Sequence, residues 1–250
     1  MLTSISQTRV AEFWRSCLRG GRLVATLPDV FASAWRTRPI RVQTVNLQHV
    51  HLIATSQASA DAAVAADLVS ADGWPLAFLA RRMGMPCERV TGRQVVDALL
   101  RDRAFAGSRV ALLGTRPDVA ASFARLLRRN DVTLAYGHHG DASSWDVAAI
   151  AEELTDRDCD VVLIALGAPK GELLGHKLRA LLSRGLIIGV GGAVEMATAH
   201  MPAAPEWVGR AGLEWAYRLA REPRRLGRRY LIESPRALFA LALVLARTWV

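Results

Sequence analysis

The sequence predicts an α/β fold built on a doubly wound parallel sheet, and three features predict it. Val161 to Leu166 reads VVLIAL, an unbroken apolar run of the kind found in a strand buried on both faces. Gly167 and Pro169 end it, and from Glu172 the pattern turns helical, with Leu173, Leu174, Lys177, Leu178, Leu181 and Leu182 at near i, i+3, i+4 spacing. Leu186 to Gly192, LIIGVGG, is a second apolar run ending in glycines. Taken singly each is an ordinary strand end. In succession they fit neighbouring strands sharing a crevice at their carboxyl ends, where open parallel sheets bind ligands and helix N-termini face phosphates. Third, strand-like and helix-like patterns alternate from residue 40 to 192 without a break.

The elements follow in order. Residues 1–39 form a lead-in, with one short helix through Val10, Phe13, Trp14 and Leu18 that Gly20 and Gly21 break. Val42 and Val45 mark the first strand, with Thr44 and Asn46 near its end. The Ala-rich stretch Gln57 to Leu68 is a good helix former. A short apolar strand then runs into Asp72-Gly73, a turn dipeptide. Helices are expected over 76–85 and 94–103, and Arg109 to Gly114 is a strand followed by a helix over 118–130. Val132 to Tyr136 is a strand leading into an irregular loop, Gly137 to Asp141, and Trp145 to Leu154 is the next helix. His138 and His139 invite a metal reading. Adjacent side chains point apart on a strand, no third ligand is spaced nearby, and a solvated loop is the better reading.

After Met196 the composition changes, and residues 201–250 read as an Arg-rich helical appendage to the domain of residues 40–200. From Gly212 to Leu231, Leu213, Trp215, Ala216, Leu219 and Ala220 give an apolar helical face. Arg218, Arg221, Arg224, Arg225, Arg228 and Arg229 crowd the remainder, with no Lys among them. Such a helix is usually a solvated face, yet Arg is also the residue that grips phosphate bidentately. Ala237 to Val250, with Trp249, is too short to span a bilayer and too apolar to lie free in water. Docking on an anionic membrane surface and packing against the domain or a second subunit of a homo-oligomer are equally weighted.

Composition narrows the partner. The net charge is +9, carried mostly by Arg, which suits phosphate, nucleic acid or an anionic membrane surface. Nucleic acid ranks last, because the arginines concentrate in the C-terminal segment and neither a stacking platform nor a nucleic-acid motif is recognised. Cys17, Cys87 and Cys159 form no metal-ligand spacing or disulfide framework, so a reducing cytoplasm is the simplest setting. The first residues carry Arg9, Glu12 and Arg15 among apolar ones and do not read as a signal peptide. At Asp72 two roles compete: turn chemistry, which prevails on local grounds, and a general base at a strand end.

The spelling is more specific than this physics requires. Thr44-Val45-Asn46, Ala71-Asp72-Gly73, Arg89-Val90-Thr91-Gly92, Gly167-Ala168-Pro169-Lys170, Gly189-Val190-Gly191-Gly192 and Gly212-Leu213-Glu214-Trp215 through Glu222-Pro223 and Arg225 occur in this order. Together they resemble the WecG/TagA/CpsF family of bacterial glycosyltransferases from about residue 40 to 235. The resemblance implies a Rossmann-like sheet with a mobile C-terminal appendage. It implies transfer of a sugar from a UDP-sugar to a polyprenyl-diphosphate-linked acceptor at the cytoplasmic membrane face, for cell-surface polysaccharide such as exopolysaccharide, capsule or teichoic acid.

By that resemblance Asp72 is the catalytic base and Thr44 lies beside it. Asn46, Arg89, Gly114, Gly167, Pro169, Glu172, Gly191 and Gly192 shape the donor site. Arg218, Arg221, Arg225 and Arg228 meet the acceptor diphosphate or the membrane. No cofactor or metal is expected: the UDP-sugar is a substrate, arginines replace a metal, and no Asp-x-Asp of the metal-using kind is read in the sequence. Three positions depart from the family: Gly171 stands where Gln usually precedes Glu172, Ala204 where Arg is common, and Gln94 where an acidic residue is often found. The alternative is a non-catalytic partner that binds nucleotide sugar or membrane in a polysaccharide assembly complex.

Overall fold

The protein is described by a computed structural model covering residues 6–82, 84–85, 87–202, 204–205, 208 and 213–248. Gly212, Trp249 and Val250, used in the reading above, lie outside the described residues.

Six strands form one sheet: β1 (Pro39–Val45), β2 (Leu68–Ala71), β3 (Arg109–Gly114), β4 (Thr133–His138), β5 (Val161–Ala165) and β6 (Gly185–Gly189). They lie in the order β2-β1-β6-β5-β3-β4, and every neighbouring pair is parallel. The continuous apolar runs follow from burial on both faces. Val161 and Leu163, with Val110, Leu112, Leu186 and Ile188, enter one core cluster. Their neighbours Val162 and Ile164, with Ala111, Leu113 and Ile187, enter another. The two-residue side-chain period of a strand puts consecutive residues on opposite faces, so neither face can be polar. One face is covered through α6 (Gly92–Arg101) and α7 (Pro117–Leu127), the other through α8 (Val147–Asp156) and α9 (Lys170–Leu181).

Several boundaries differ from the expected ones. A helix absent from the reading, α3 (Leu47–Thr55), starts directly after β1, because the Asn46 side chain accepts from the backbone N–H groups of Gln48 and His49 and caps it. Ser56 then caps α4 (Gln57–Val64), which is shorter than the Ala-rich stretch. His138 is the last residue of β4, where its Nδ1 meets the Tyr136 hydroxyl at 3.1 Å and Trp145 packs edge-on against its ring. Only His139 and its neighbours form the expected loop. Asp146 caps α8, so Trp145 stays outside that helix.

The single helix expected over Gly212–Leu231 is broken in its described part. Helices span Glu214–Arg221 and Pro223–Arg228, one π turn spans Arg229–Glu233, and a terminal helix spans Ser234–Thr248. The break falls at Glu222 (φ −134°, ψ 57°), where the ring of Pro223 disfavours helical geometry in the residue before it. The terminal helix divides its apolar residues. Ala237, Leu241 and Val244 join Val10, Phe13 and Trp14 of α1 (Gln7–Arg19) and Val50, Ile53 and Ala54 of α3 in a third cluster. Leu238 and Phe239 remain exposed. Among the described residues no helix is long and apolar enough to cross a membrane.

Candidate active site

A cavity of 330 Å³ opens at the carboxyl edge of the sheet, where the loops after β1, β2, β5 and β6 meet the start of α6 and the arginines of the C-terminal segment. Thr44, near the end of β1, donates through Oγ1 to the Gly189 carbonyl at 3.3 Å and so ties β1 to β6. Gly92, at the start of α6, passes so near the β6 loop that a Cβ there would lie 2.8 Å from Val190 Cα, and only glycine allows that approach. Gly191, at φ +51°, turns the same loop away from the strand.

Asp72 leaves β2 with its backbone N–H bonded to the Val45 carbonyl at 2.7 Å. Gly73 follows at φ +124°, a conformation that L side chains rarely adopt. The Asn46 amide, whose Oδ1 is committed to the α3 cap, turns its Nδ2 toward Asp72 Oδ2 at 3.4 Å. Burial pushes the Asp72 carboxyl above its ordinary value, against the pull of His49, Arg89, the Asn46 contact and Arg229. Beyond Asn46, His49 Nε2 lies 2.9 Å from Glu172 Oε1, while Glu172 Oε2 is buried without a hydrogen-bond partner. Burial pushes Glu172 up, yet its hydrogen bond and electrostatic attraction to His49, its own backbone N–H and Arg41 bring it below its ordinary value.

Three arginines, Arg218, Arg225 and Arg229, close the cavity from the C-terminal side. Burial lowers the Arg229 guanidinium from its ordinary value, with Arg218 and Arg225 adding repulsion and Tyr230 and Asp72 opposing. Arg229 Nε is buried without a hydrogen-bond partner. Arg225 is held by Glu222 through its Nε. Arginines and carboxylates therefore line one recess, which suits an anionic ligand with hydroxyl groups.

A family model for the WecG/TagA/CpsF glycosyl transferases matches residues 18–249. The chain belongs to this family. It is a glycosyltransferase of cell-surface polysaccharide synthesis, taking a nucleotide-sugar donor and a glycan acceptor, and its sheet has the family's Rossmann-like form.

Against this glycosyltransferase cavity the expected site residues separate into two groups. Thr44, Asn46, Asp72, Arg89, Gly167, Glu172, Gly191, Gly192, Arg218 and Arg225 all line it. Gly114, Pro169, Arg221 and Arg228 do not. Gly114 packs against the Ala165 carbonyl instead, and Pro169 stands behind Ala168 at the head of α9. Arg221 lies over the Tyr217 ring, and Arg228 is largely exposed and paired with Glu233 at 3.2 Å.

Among the polar lining residues that the sequence reading did not assign to the site are Gln48, His49, Arg93, Glu195 and Arg229. Arg229 lay in the Arg-rich run but was not singled out. His49 follows the Asn46 cap by three residues, the spacing of a capping box, which was the available signal. Glu195 accepts from Thr115 Oγ1 and keeps a buried Oε2 without a partner.

The letters Asp-x-Asp do occur, twice and overlapping, as Asp156-Arg157-Asp158 and Asp158-Cys159-Asp160. They precede β5 at the opposite edge of the sheet, where Asp158 and Asp160 face Arg184. Of the departures, Ala204 lines the cavity, Gly171 packs α9 onto Ile164, and Gln94 closes a capping box with Thr91.

Proposed function

We propose that this glycosyltransferase moves a sugar from a UDP-sugar to a polyprenyl-diphosphate-linked saccharide, with inversion and without a metal ion, at the inner face of the cytoplasmic membrane. The supporting observation is the position of Asp72. It stands on the wall shared by the polar cavity and by a second, apolar recess of 410 Å³. The second recess is lined by Trp74, Pro75, Leu76, Trp215, Tyr230, Pro235 and Leu238, and the two recesses share Asn46, Gln48, Arg89, Arg218 and Arg229 as well. A donor diphosphate fits the polar side and a lipid-linked acceptor the apolar side, with one carboxylate between them.

In this reading the acceptor hydroxyl oxygen bonds to the anomeric carbon as the bond from that carbon to the UDP β-phosphate oxygen breaks. Asp72 takes the hydroxyl proton, and Arg218, Arg225 and Arg229 receive the charge that develops on the departing diphosphate. Glu195 Oε2 is an acceptor for nucleoside hydroxyls, and Thr44 and Asn46 order the edge on which the sugar rests. Trp74 and Leu238 at the apolar recess, with Phe78, Leu231 and Phe239 exposed on the same segments, present an apolar surface to lipid beside arginines that suit anionic headgroups.

The test is to incubate the protein with a polyprenyl-diphosphate-linked sugar and a panel of UDP-sugars, with and without EDTA, following UDP release and product mass. A matching product formed equally in EDTA is the expected result. Loss of transfer in EDTA would remove the metal-free part, and UDP binding with no product from any donor would favour the non-catalytic partner.

A further inference from the structure

His49 is 8% exposed, and both of its ring nitrogens are engaged. Nδ1 faces the backbone N–H of Asn46 at 3.1 Å, and Nε2 faces Glu172 Oε1 at 2.9 Å. A backbone N–H can only donate, so Nδ1 must be the bare nitrogen. Nε2 then carries the proton and donates it to Glu172. The next link is fixed in the same way. Asn46 Oδ1 accepts from the N–H groups of Gln48 and His49, at 3.0 and 3.4 Å, so the amide cannot turn over without losing the helix cap. Its Nδ2 is left to face Asp72 Oδ2. Donors and acceptors are consistent along the whole path Glu172, His49, Asn46, Asp72, and reversing any one would set donor against donor or acceptor against acceptor.

The path joins three strand ends. Glu172 lies on α9 after β5, His49 and Asn46 follow β1, and Asp72 follows β2. Burying a histidine between them costs free energy unless both nitrogens are satisfied, as they are here. A donor aimed at one carboxylate oxygen leaves the other oriented for the acceptor hydroxyl.

We propose that His49 is a positioning residue for the transfer step, holding the Asn46 turn so that its amide orients the Asp72 carboxylate. This rests on the reading of Asp72 as the base. It separates the role of Glu172 from donor binding: Glu172 acts through His49 and not on the nucleotide.

Two conservative replacements split the ring's functions. Asn at 49 places an oxygen near the position of Nδ1 and keeps the contact to the Asn46 N–H. Gln reaches the position of Nε2 and keeps the contact to Glu172. The expected result is that His49→Ala lowers kcat by on the order of 10²-fold, with the UDP-sugar KM changed little, since a misplaced catalytic group costs about that much. His49→Asn recovers part of the loss and His49→Gln does not. An unchanged kcat in His49→Ala, or a rise in KM alone, would overturn the proposal. UDP affinity and thermal unfolding of each variant identify any loss that comes from misfolding.

A second readout does not need turnover, and so separates this proposal from the transferase reading. In protein labelled with ¹⁵N in the histidine rings and ¹³C in the aspartate carboxyls, the His49 Nδ1 signal is expected at the unprotonated position. The Asp72 carboxyl signal shifts in His49→Ala and returns toward its original place in His49→Asn. A protonated Nδ1, or an Asp72 signal indifferent to residue 49, overturns the proposal even if transfer is observed. The expected signals in a protein that transfers no sugar would leave it standing and place the error in the transferase reading.

Discussion

Strand β2 is four residues long and has an aspartate just outside each end, Asp67 before it and Asp72 after it. The two carboxyls are displaced in opposite directions. At Asp67 burial pushes upward, but the Arg179 fork at 2.8 and 3.0 Å, the Arg41 backbone N–H at 2.9 Å, and Arg38 at 3.3 Å carry it below its ordinary value of 3.8. At Asp72 burial prevails and the carboxyl lies above that value. A related contrast is seen elsewhere at the two edges of the sheet. At the amino edge Asp160 is held by Arg184 and by the Arg109 N–H. At the carboxyl edge Glu172, Glu195 and Arg229 each keep a buried polar atom without a hydrogen-bond partner. The amino edge commits its carboxylates to holding the fold, although Arg41 Nε and Ser108 Oγ there are also buried without partners; at the other edge the unpartnered atoms belong to charged side chains lining the cavity, which is destabilising unless a ligand completes them.

The sharpest way to test that contrast is to neutralise each aspartate in turn. Asp72→Asn is expected to lower kcat by about 10²–10⁴-fold while UDP binding survives, measured by product formation and by titration with UDP. If it retains the full rate, Asp72 belongs with the structural carboxyls. Next in size is Arg229→Ala, which removes one buried donor from the diphosphate wall. A loss of about 10²-fold in kcat is expected, by analogy with deleting a single oxyanion donor. Arg221→Ala and Arg228→Ala, whose side chains lie outside the cavity, should each change kcat far less.

At the other end of β2, Asp67→Asn is expected to cost about 1–3 kcal/mol of stability with kcat within a few-fold of the parent, read by urea unfolding and by the transfer assay. The sign at Asp67 follows from its lowered folded-state value: its contribution is present above the unfolded value and is lost as pH falls through the folded one. Asp72 has the opposite sign. Its raised value makes the ionised form a burden on the folded state as pH rises, so Asp72→Asn should unfold at a slightly higher temperature than the parent at neutral pH. For the reaction, protonation removes the base. The acid limb of kcat should therefore have its midpoint above the ordinary 3.8 and should vanish from the residual activity of Asp72→Asn.

Much of the fold was legible because buried parallel strands leave a strong trace. VVLIAL and LIIGVGG could hardly be anything else, and they pair side by side as β5 and β6. The glycine-marked ends of β5 and β6 were legible for the same reason, whereas Thr44 and Asp72 were assigned to the site through the family resemblance, local pattern alone favouring a turn at Asp72. Helix boundaries were less so. The helix Leu47–Thr55 depends on one cap at Asn46, and a local interaction between side chain and backbone has no periodic signature. The appendage was misread as one helix because its apolar spacing outweighed Pro223, and spacing alone could not tell which of its arginines line the cavity.

By itself, then, the sequence determined the sheet, its carboxyl edge, the candidate base and the surplus of arginine, since each of these is written in local pattern or in motif. Only the tertiary structure decided which arginines face the cavity, that His49 links Glu172 to Asn46, and that the terminal helix is half buried against the first. Those outcomes depend on contacts between residues far apart in the chain, such as His49 with Glu172. Local hydrophobic spacing carries no information about such pairs, because burial reports that a side chain is covered and not which side chain covers it.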